Sequence, residues 1–289
     1  MTTPGSSTHD SSLWITNLVD GMAGLTMKVR HALYCDASPF QKIEVFDTYA
    51  FGSVLMLGGA IVLTQRDEHI YNEMITHPAL LAHSAPGAVC IIGGGDGGAL
   101  RETLKHDCVR EAVAVDIDSM VTDTVKRYFP SLGSAFEDTR SCVAFADGCA
   151  WLEDCDRSFD VVVVDSYDPG GPVQSLETGN FFELVRGRLG DGGVAVVQTG
   201  SPELRVDHIR ETIRELGTIF SWTVPYICTI PSFPSSVCSF ILCGTSGSTI
   251  PEFRAERLAA LAGSCRYFSG EALEGAVRLP SSMRAVFSS

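Results

Sequence analysis

From Leu25 to Leu63 apolar and polar residues alternate. Leu25, Met27 and Val29, then Ile43, Val45 and Phe46, have the spacing of antiparallel strands with one buried side. Phe51-Gly52 and Gly58-Gly59 punctuate the short runs, the last of which is Ile61-Val62-Leu63, so the pattern predicts a small β-meander. Over Glu68 to Leu81 the period lengthens. Ile70, Met74 and Ile75 fall on one side of a predicted helix, with Pro78 near its end.

From Ala88 the texture changes. Apolar runs alternate with amphipathic stretches: Val89-Cys90-Ile91-Ile92, Ala112-Val113-Ala114-Val115, Cys142-Val143-Ala144-Phe145, Val161-Val162-Val163-Val164 and Val194-Ala195-Val196-Val197. Unbroken runs of this length predict strands buried on both faces, hence a mainly parallel sheet between two helical layers. Helices are predicted at Ala99–His106, Ser119–Phe129, Phe181–Leu189 and Pro202–Phe220, and last strands at Trp222–Ile230 and Ser239–Cys243. The expected fold class is α/β: a Rossmann-like doubly wound sheet with a small N-terminal antiparallel β domain. The expected division is a flexible tail over 1–12, the β domain over 13–66 and the Rossmann-like domain over 67–289. In such a sheet, ligands bind beyond the carboxyl ends of the strands.

Composition narrows the partners. Against 21 basic residues stand 35 acidic ones, a net charge of −14 over 289 residues, which argues against nucleic acid or an anionic membrane surface as partner. No apolar run reaches the roughly 18–20 residues of a membrane helix, and Met1 to Ser12 lacks the pattern of a secretory signal. The ten cysteines include no C-x-x-C pair; buried, reduced thiols in a cytoplasmic protein are expected. The scattered histidines have no ligand spacing, and no metal is expected.

Four of the apolar runs end in, or lead into, aspartate: Gly93-Gly94-Gly95-Asp96-Gly97-Gly98, Asp116-Ile117-Asp118, Asp147-Gly148 and Asp165-Ser166-Tyr167-Asp168. A helix cap or a turn explains any one of them. Four on one sheet edge repel one another unless something cationic compensates. The glycine loop allows a ligand close to the backbone, but Asp96 within it would repel a pyrophosphate. Asp116, some 20 residues on, stands where an acid binds ribose hydroxyls. A nucleoside without phosphates fits, and an S-adenosyl compound satisfies the acidity through its sulfonium. Asp147 would then meet the adenine amino group. Asp96 discriminates further: it would oppose the carboxylate of S-adenosylmethionine and attract the ammonium of the decarboxylated form. An attacking amine with a pKa near 10 is neutral in roughly one molecule in a few thousand at pH 7, so it needs a base. Asp165 can be that base, and Asp168 can anchor a second ammonium.

These segments resemble the spermidine synthase (polyamine aminopropyltransferase) family from about Leu25 to Cys243. The matching residues are Phe40-Gln41, Thr64-Gln65-Arg66-Asp67-Glu68 with Tyr71, the GGGDGG loop, Asp116-Ile117-Asp118, Asp147-Gly148, Asp165-Ser166-Tyr167-Asp168-Pro169 with Gly171-Pro172, and Gln198. The resemblance implies aminopropyl transfer from decarboxylated S-adenosylmethionine, a co-substrate with no further cofactor, to putrescine in a homodimer or homotetramer. It assigns Gln41, Gly93, Gly95, Asp116, Asp147, Gly148 and Pro172 to the donor, Asp165 to catalysis, and Tyr71, Asn72, Asp96, Asp168 and Phe233 to substrate binding.

The chain departs from the family pattern near the acceptor. Asn72 stands where His or Gln is common, Asp116 where Glu is common, and Leu273 where His is common. After Pro172, Val173 to Glu177 replace a loop that usually carries Leu-Phe. Ile230 to Ser236 reads IPSFPSS where IPTYPSG is usual, so Phe233 lacks a hydroxyl. Agmatine, cadaverine or a longer polyamine therefore stay open as acceptors, as do an amine N-methyltransferase and a non-catalytic regulatory homologue.

Overall fold

The computed structural model describes residues 13–165, 180–247, 253 and 255–288. The tail expected over 1–12 lies outside them.

The N-terminal meander has five antiparallel strands in sequence order: β1 (Leu13–Val19), β2 (Ala23–Ala37), β3 (Lys42–Thr48), β4 (Gly52–Leu57) and β5 (Ala60–Thr64). The alternation from Leu25 onward marks β2 to β5 but misses β1, whose Leu13, Trp14 and Leu18 are exposed and whose Ile15 alone is a buried hydrophobic. Alternation sorts this sheet's side chains onto two faces. Ile43, Val45, Leu55 and Leu63 pack with Val121, Val125, Phe129 and Leu132 of the second domain, while Ile15, Met27, Val29, Val54 and Met56 form a separate cluster.

The second sheet has seven strands: β6 (Ala88–Ile92), β7 (Glu111–Asp116), β8 (Ser141–Phe145), β9 (Phe159–Val164), β10 (Leu189–Gly200), β11 (Trp222–Thr229) and β12 (Val237–Gly244). Their order is β11-β12-β10-β9-β6-β7-β8. The strands β10, β9, β6, β7 and β8 pair in parallel, and β12 pairs antiparallel with both β10 and β11.

Successive residues of the apolar runs feed two cores. Val89, Ile91, Ala112, Ala114, Val161 and Val163 pack with Met74, Ile75, Leu80 and Leu100, from α1 (Glu68–Ala82) and α2 (Gly98–Leu104). Cys90, Ile92, Val113, Val115, Val162 and Val164 pack with Leu152, Phe181, Val185, Ile209 and Leu216 on the opposite face. Each fully buried Val or Ile stabilises the fold by about 1.5–3 kcal/mol relative to exposure, which is why both faces must be covered. Between β7 and β8 lie α3 (Ser119–Tyr128) and α4 (Pro130–Gly133). Further along come α5 (Gly148–Asp154), α6 (Phe181–Gly187) and α7 (Val206–Ile219), then α8 (Ala255–Leu261), α9 (Gly270–Val277) and α10 (Ser281–Phe287).

Three expectations are corrected. The run Cys142 to Phe145 is not buried on both faces: β8 is the edge strand, and Phe145 is 53% exposed. The helix expected from Pro202 begins at Val206, because the Leu204 and Arg205 amides both donate to the Ser201 carbonyl and close a turn first. All ten cysteines are free thiols, but Cys35 and Cys142 are exposed rather than buried. No helix among the described residues is long and apolar enough to cross a membrane.

Candidate active site

The parallel strands end at one edge, and the ladder continues one residue past them. The Gly93 amide donates to Val115 O, Asp165 to Ile92 O and Ala146 to Asp116 O, at 2.8–2.9 Å. This fixes the backbone of the acid-bearing turns. Beyond the edge lies a cleft of about 610 Å³, roofed by the N-terminal sheet through residues such as Gln41, Leu57 and Ile61. That volume is in the range of small-molecule sites.

At the centre the glycine loop turns into α2. Gly97 takes a positive φ of 73°, and a Cβ there would come within 2.7 Å of Phe136, so only glycine suits the turn. Asp96 lines the cleft. Its Oδ1 accepts the Gly98 amide at 2.8 Å. Burial pushes its carboxyl up to about 6, with the Glu68 and Asp116 charges adding to the rise and the Gly98 hydrogen bond opposing it.

Toward β7, Asp116 accepts the Gly95 amide at Oδ2, 2.9 Å, and the Asp118 amide at Oδ1, 2.8 Å. Burial raises its carboxyl too. Gly95 thus meets Asp116: a Cβ there would lie 2.4 Å from Oδ2. Gly93 and Gly148 line the cleft. Asp147 caps α5, its Oδ1 accepting the Ala150 amide at 3.0 Å. Gln41 lines the cleft and donates from Nε2 to Asp118 at 3.2 Å, and Asp118 in turn caps α3 through the Met120 amide at 3.1 Å.

Toward β10, Tyr71 on α1 donates its hydroxyl to Asp165 Oδ1 at 2.5 Å. Burial pushes the Asp165 carboxyl well above the usual range, and the Asp96 charge pushes it the same way, against the Tyr71 hydrogen bond. The Tyr71 hydroxyl is likewise raised, by burial and then by Asp165. Phe233 stacks obliquely on Tyr71, ring centroids 5.9 Å apart. Its loop is pinned by Asp67, which accepts the Ser232 amide and hydroxyl at 2.9 Å each and the Thr64 hydroxyl at 2.6 Å. Gln198 and Ser235 complete this half.

Of the other expected residues, Asn72 donates its amide to Glu68 at 2.9 Å. It lines a recess of about 10 Å³ shared with Tyr71, Asp96 and Phe233, beside the main cleft. Asp168 and Pro172 lie outside the described residues. The sequence reading did not find Asp20 and Arg205, which line the cleft and face each other at 3.3 Å. The Asp20-Gly21 turn signal marks a hairpin tip, but no local pattern ties it to a residue 185 positions later.

A cluster apart from the cleft joins His77, Glu102, His106 and Cys265. The two ring nitrogens of His77 lie 3.0 Å from His106 Nε2 and Glu102 Oε2. Burial would raise Glu102, yet the His77 hydrogen bond and the Arg101 charge hold it down at about 2. With Lys105 also 2.6 Å from it, the carboxylate is fully committed to protein partners.

Comparison with known proteins shows the family. Residues 68–252 match the spermine/spermidine synthase domain, and residues 13–65 match the spermidine synthase tetramerisation domain. The polyamine aminopropyltransferase of Alkalilimnicola ehrlichii is 40% identical over 274 residues, covering 92% of this chain and 94% of the relative. The spermidine synthase of Schizosaccharomyces pombe is 36% identical over 277 residues, covering 94% and 92%. A crystal structure of spermidine synthase with the transition-state analogue AdoDATO superposes with a TM-score of 0.90 at 28% identity, covering 95% of this chain and 94% of the other. That of spermidine synthase from Thermotoga maritima gives 0.88, also at 28% identity and with the same coverage. The seven-stranded sheet is therefore Rossmann-like in the methyltransferase manner. The chain belongs to the spermidine synthase family of polyamine aminopropyltransferases.

Proposed function

We propose that the protein transfers the aminopropyl group of decarboxylated S-adenosylmethionine to putrescine, giving spermidine and 5'-methylthioadenosine. The observation that carries this is the Asp165 carboxyl, hydrogen-bonded to Tyr71 in the cleft that Asp96 and Asp116 also line. The nucleoside would lie toward Asp116, Gln41 and Gly148, with its aminopropyl ammonium at Asp96. The acceptor would lie toward Tyr71, Gln198 and Phe233.

The chemistry follows from that placement. The acceptor's ammonium gives a proton to Asp165, whose raised pKa makes it a stronger base than an ordinary aspartate, and becomes a neutral amine. The nitrogen lone pair then attacks the carbon next to sulfur. The C–N bond forms as the C–S bond breaks, and its electron pair returns to sulfur, leaving a neutral thioether. Holding the two substrates in line supplies a large share of the acceleration. Asp168 is the proposed anchor for the distal ammonium, and Asp147 and Pro172 the proposed adenine contacts.

The exposed Leu13 and Trp14 of β1, together with the tetramerisation-domain match, support a homo-oligomer, a homodimer or homotetramer. The free thiols support a reducing, cytoplasmic setting.

The test is to incubate the purified protein with either decarboxylated S-adenosylmethionine or S-adenosylmethionine, and a panel of amines including putrescine, agmatine and cadaverine. Products are identified by mass. Spermidine from putrescine and the decarboxylated donor is expected. A methylated amine from S-adenosylmethionine would overturn the reading, and absence of product with every pair would make the protein a binding homologue.

A further inference from the structure

Glu68 opens α1, and Arg101 lies one turn into α2, just past the glycine loop. Arg101 donates from both terminal nitrogens to the two Glu68 carboxylate oxygens, at 2.9 and 2.8 Å. Its Nε donates to Glu102 Oε1 at 2.8 Å. The guanidinium cannot shed its proton, and a two-pronged bond of this kind is among the strongest a side chain makes. Glu102 has further partners in Lys105, at 2.6 Å, and His77, at 3.0 Å. Glu68 therefore supplies the hold on Arg101 that faces the glycine loop.

The carboxylate of this pair, not the guanidinium, is turned toward Asp96. Glu68 and Asp96 both line the recess of about 10 Å³ beside the cleft, and Arg101 does not. Printed contacts join them. Asn72 donates to Glu68 Oε2 at 2.9 Å. Its amide group lies over Gly98, where a Cβ would overlap it. The Gly98 amide donates to Asp96 Oδ1 at 2.8 Å. Burial is the main cause of the raised Asp96 carboxyl; among the charges, Glu68 raises it more than Arg101 lowers it, and Asp116 adds to the rise. Asp96 thus stands in a negative field although a guanidinium is carried on the helix that follows it.

We propose that Glu68 is a positioning residue that decides the choice of donor: by holding Arg101 with both carboxylate oxygens it keeps that cation from Asp96, and so leaves Asp96 to the ammonium of decarboxylated S-adenosylmethionine. Without the Glu68 charge, Arg101 becomes a counter-ion for Asp96. The ligand ammonium then competes with an internal cation, and the carboxylate of S-adenosylmethionine meets an attractive charge in place of a repulsive one. Glu68 acts through Arg101 and Asp96 rather than by touching the donor. This rests on the aminopropyl-transfer reading above.

The test measures, by calorimetry on the full chain, the dissociation constants of decarboxylated S-adenosylmethionine, S-adenosylmethionine and methylthioadenosine, which carries neither group. Wild type should prefer the decarboxylated donor. Glu68→Gln keeps a hydrogen-bonding side chain and loses the charge. It should cut that preference at least about tenfold, as one charge a few ångströms away can, and leave methylthioadenosine within about twofold of wild type. Glu68→Asp should keep the preference within about threefold. Combining Glu68→Gln with Arg101→Gln removes the cation as well and should return the preference to within about threefold of wild type, which repair of a merely structural loss would not do. Arg101→Gln alone leaves Glu68 facing Asp96 and should keep or raise the preference. A preference unmoved in Glu68→Gln, a fall in Arg101→Gln, or weakening of all three ligands that the double variant does not repair overturns this proposal and leaves the reaction standing. A wild type that prefers S-adenosylmethionine overturns both.

Discussion

Tyr71 donates its hydroxyl to Asp165 Oδ1 at 2.5 Å, joining α1 to the end of β9 at the bottom of the cleft. The bond orients the carboxylate and lowers its proton affinity, while burial and the charge of Asp96 raise it. Asp165 is thus a fixed carboxyl with a raised pKa, as a base for an amine requires.

Replacing it should separate chemistry from binding. Asp165→Asn keeps the shape and removes the proposed base. Turnover should fall by about 10²–10⁴-fold, while methylthioadenosine binding, measured by calorimetry, stays within about twofold of wild type. Equal loss of both would assign Asp165 a structural role.

The raised carboxyls predict a pH signature. Asp96 sits at about 6 in the folded protein, above the ordinary aspartate value near 3.9. Between these values the folded state binds more protons than the unfolded state. The contribution of Asp96 to stability is therefore full below the lower value and is lost as pH rises through about 6. A ligand ammonium beside Asp96 reverses this, because it favours the ionised form. The extra melting-temperature increment from decarboxylated S-adenosylmethionine over methylthioadenosine should grow between pH 5 and pH 7.5. Equal increments at the two pH values would remove Asp96 as the ammonium partner.

Gly95 tests the nucleoside side. A methyl group there would lie 2.4 Å from Asp116 Oδ2, the atom that accepts the Gly95 amide. Gly95→Ala should displace that carboxylate and weaken methylthioadenosine binding about tenfold, the cost of one strained or lost hydrogen bond to a charged group. Circular dichroism should show an unchanged fold.

Phe233 tests the acceptor side. Its ring lies against Tyr71, in a loop pinned through Ser232. Phe233→Tyr returns the hydroxyl of the family pattern. KM for putrescine should fall about fivefold, as one added hydrogen bond of about 1 kcal/mol would give, with kcat changing less than about twofold. A rise in KM would mean that the pocket has been reshaped around the phenyl ring.

Asp67 tests how that loop is held. It accepts hydrogen bonds from Thr64, at the end of the N-terminal sheet, and from Ser232 in the Phe233 loop, and it is 3% exposed. Asp67→Ala leaves those donors unpaired and should lower unfolding free energy by about 2–3 kcal/mol, read by urea denaturation. KM for the amine should rise as the loop loosens.

Much of this was legible in the chain because its signals are local. Runs such as Val161 to Val164 announce buried strands, and the glycines around Asp96 announce a tight turn before a helix. Aspartates that follow several such runs must share an edge once the strands are parallel. Asp118 as a helix cap was also readable, since a cap bonds to an amide two residues away.

What the tertiary structure alone decided concerns neighbours distant in sequence. Strand order made Cys142 to Phe145 an edge rather than a core strand. Packing of the meander on α3 brought the β1–β2 hairpin to the cleft, where Asp20 meets Arg205. Periodicity reports which face of an element is buried; which element covers that face is set by packing among all of them at once. The acids that line the cleft were therefore written in the sequence, and the pairing of Asp20 with Arg205 beside them was made by the fold.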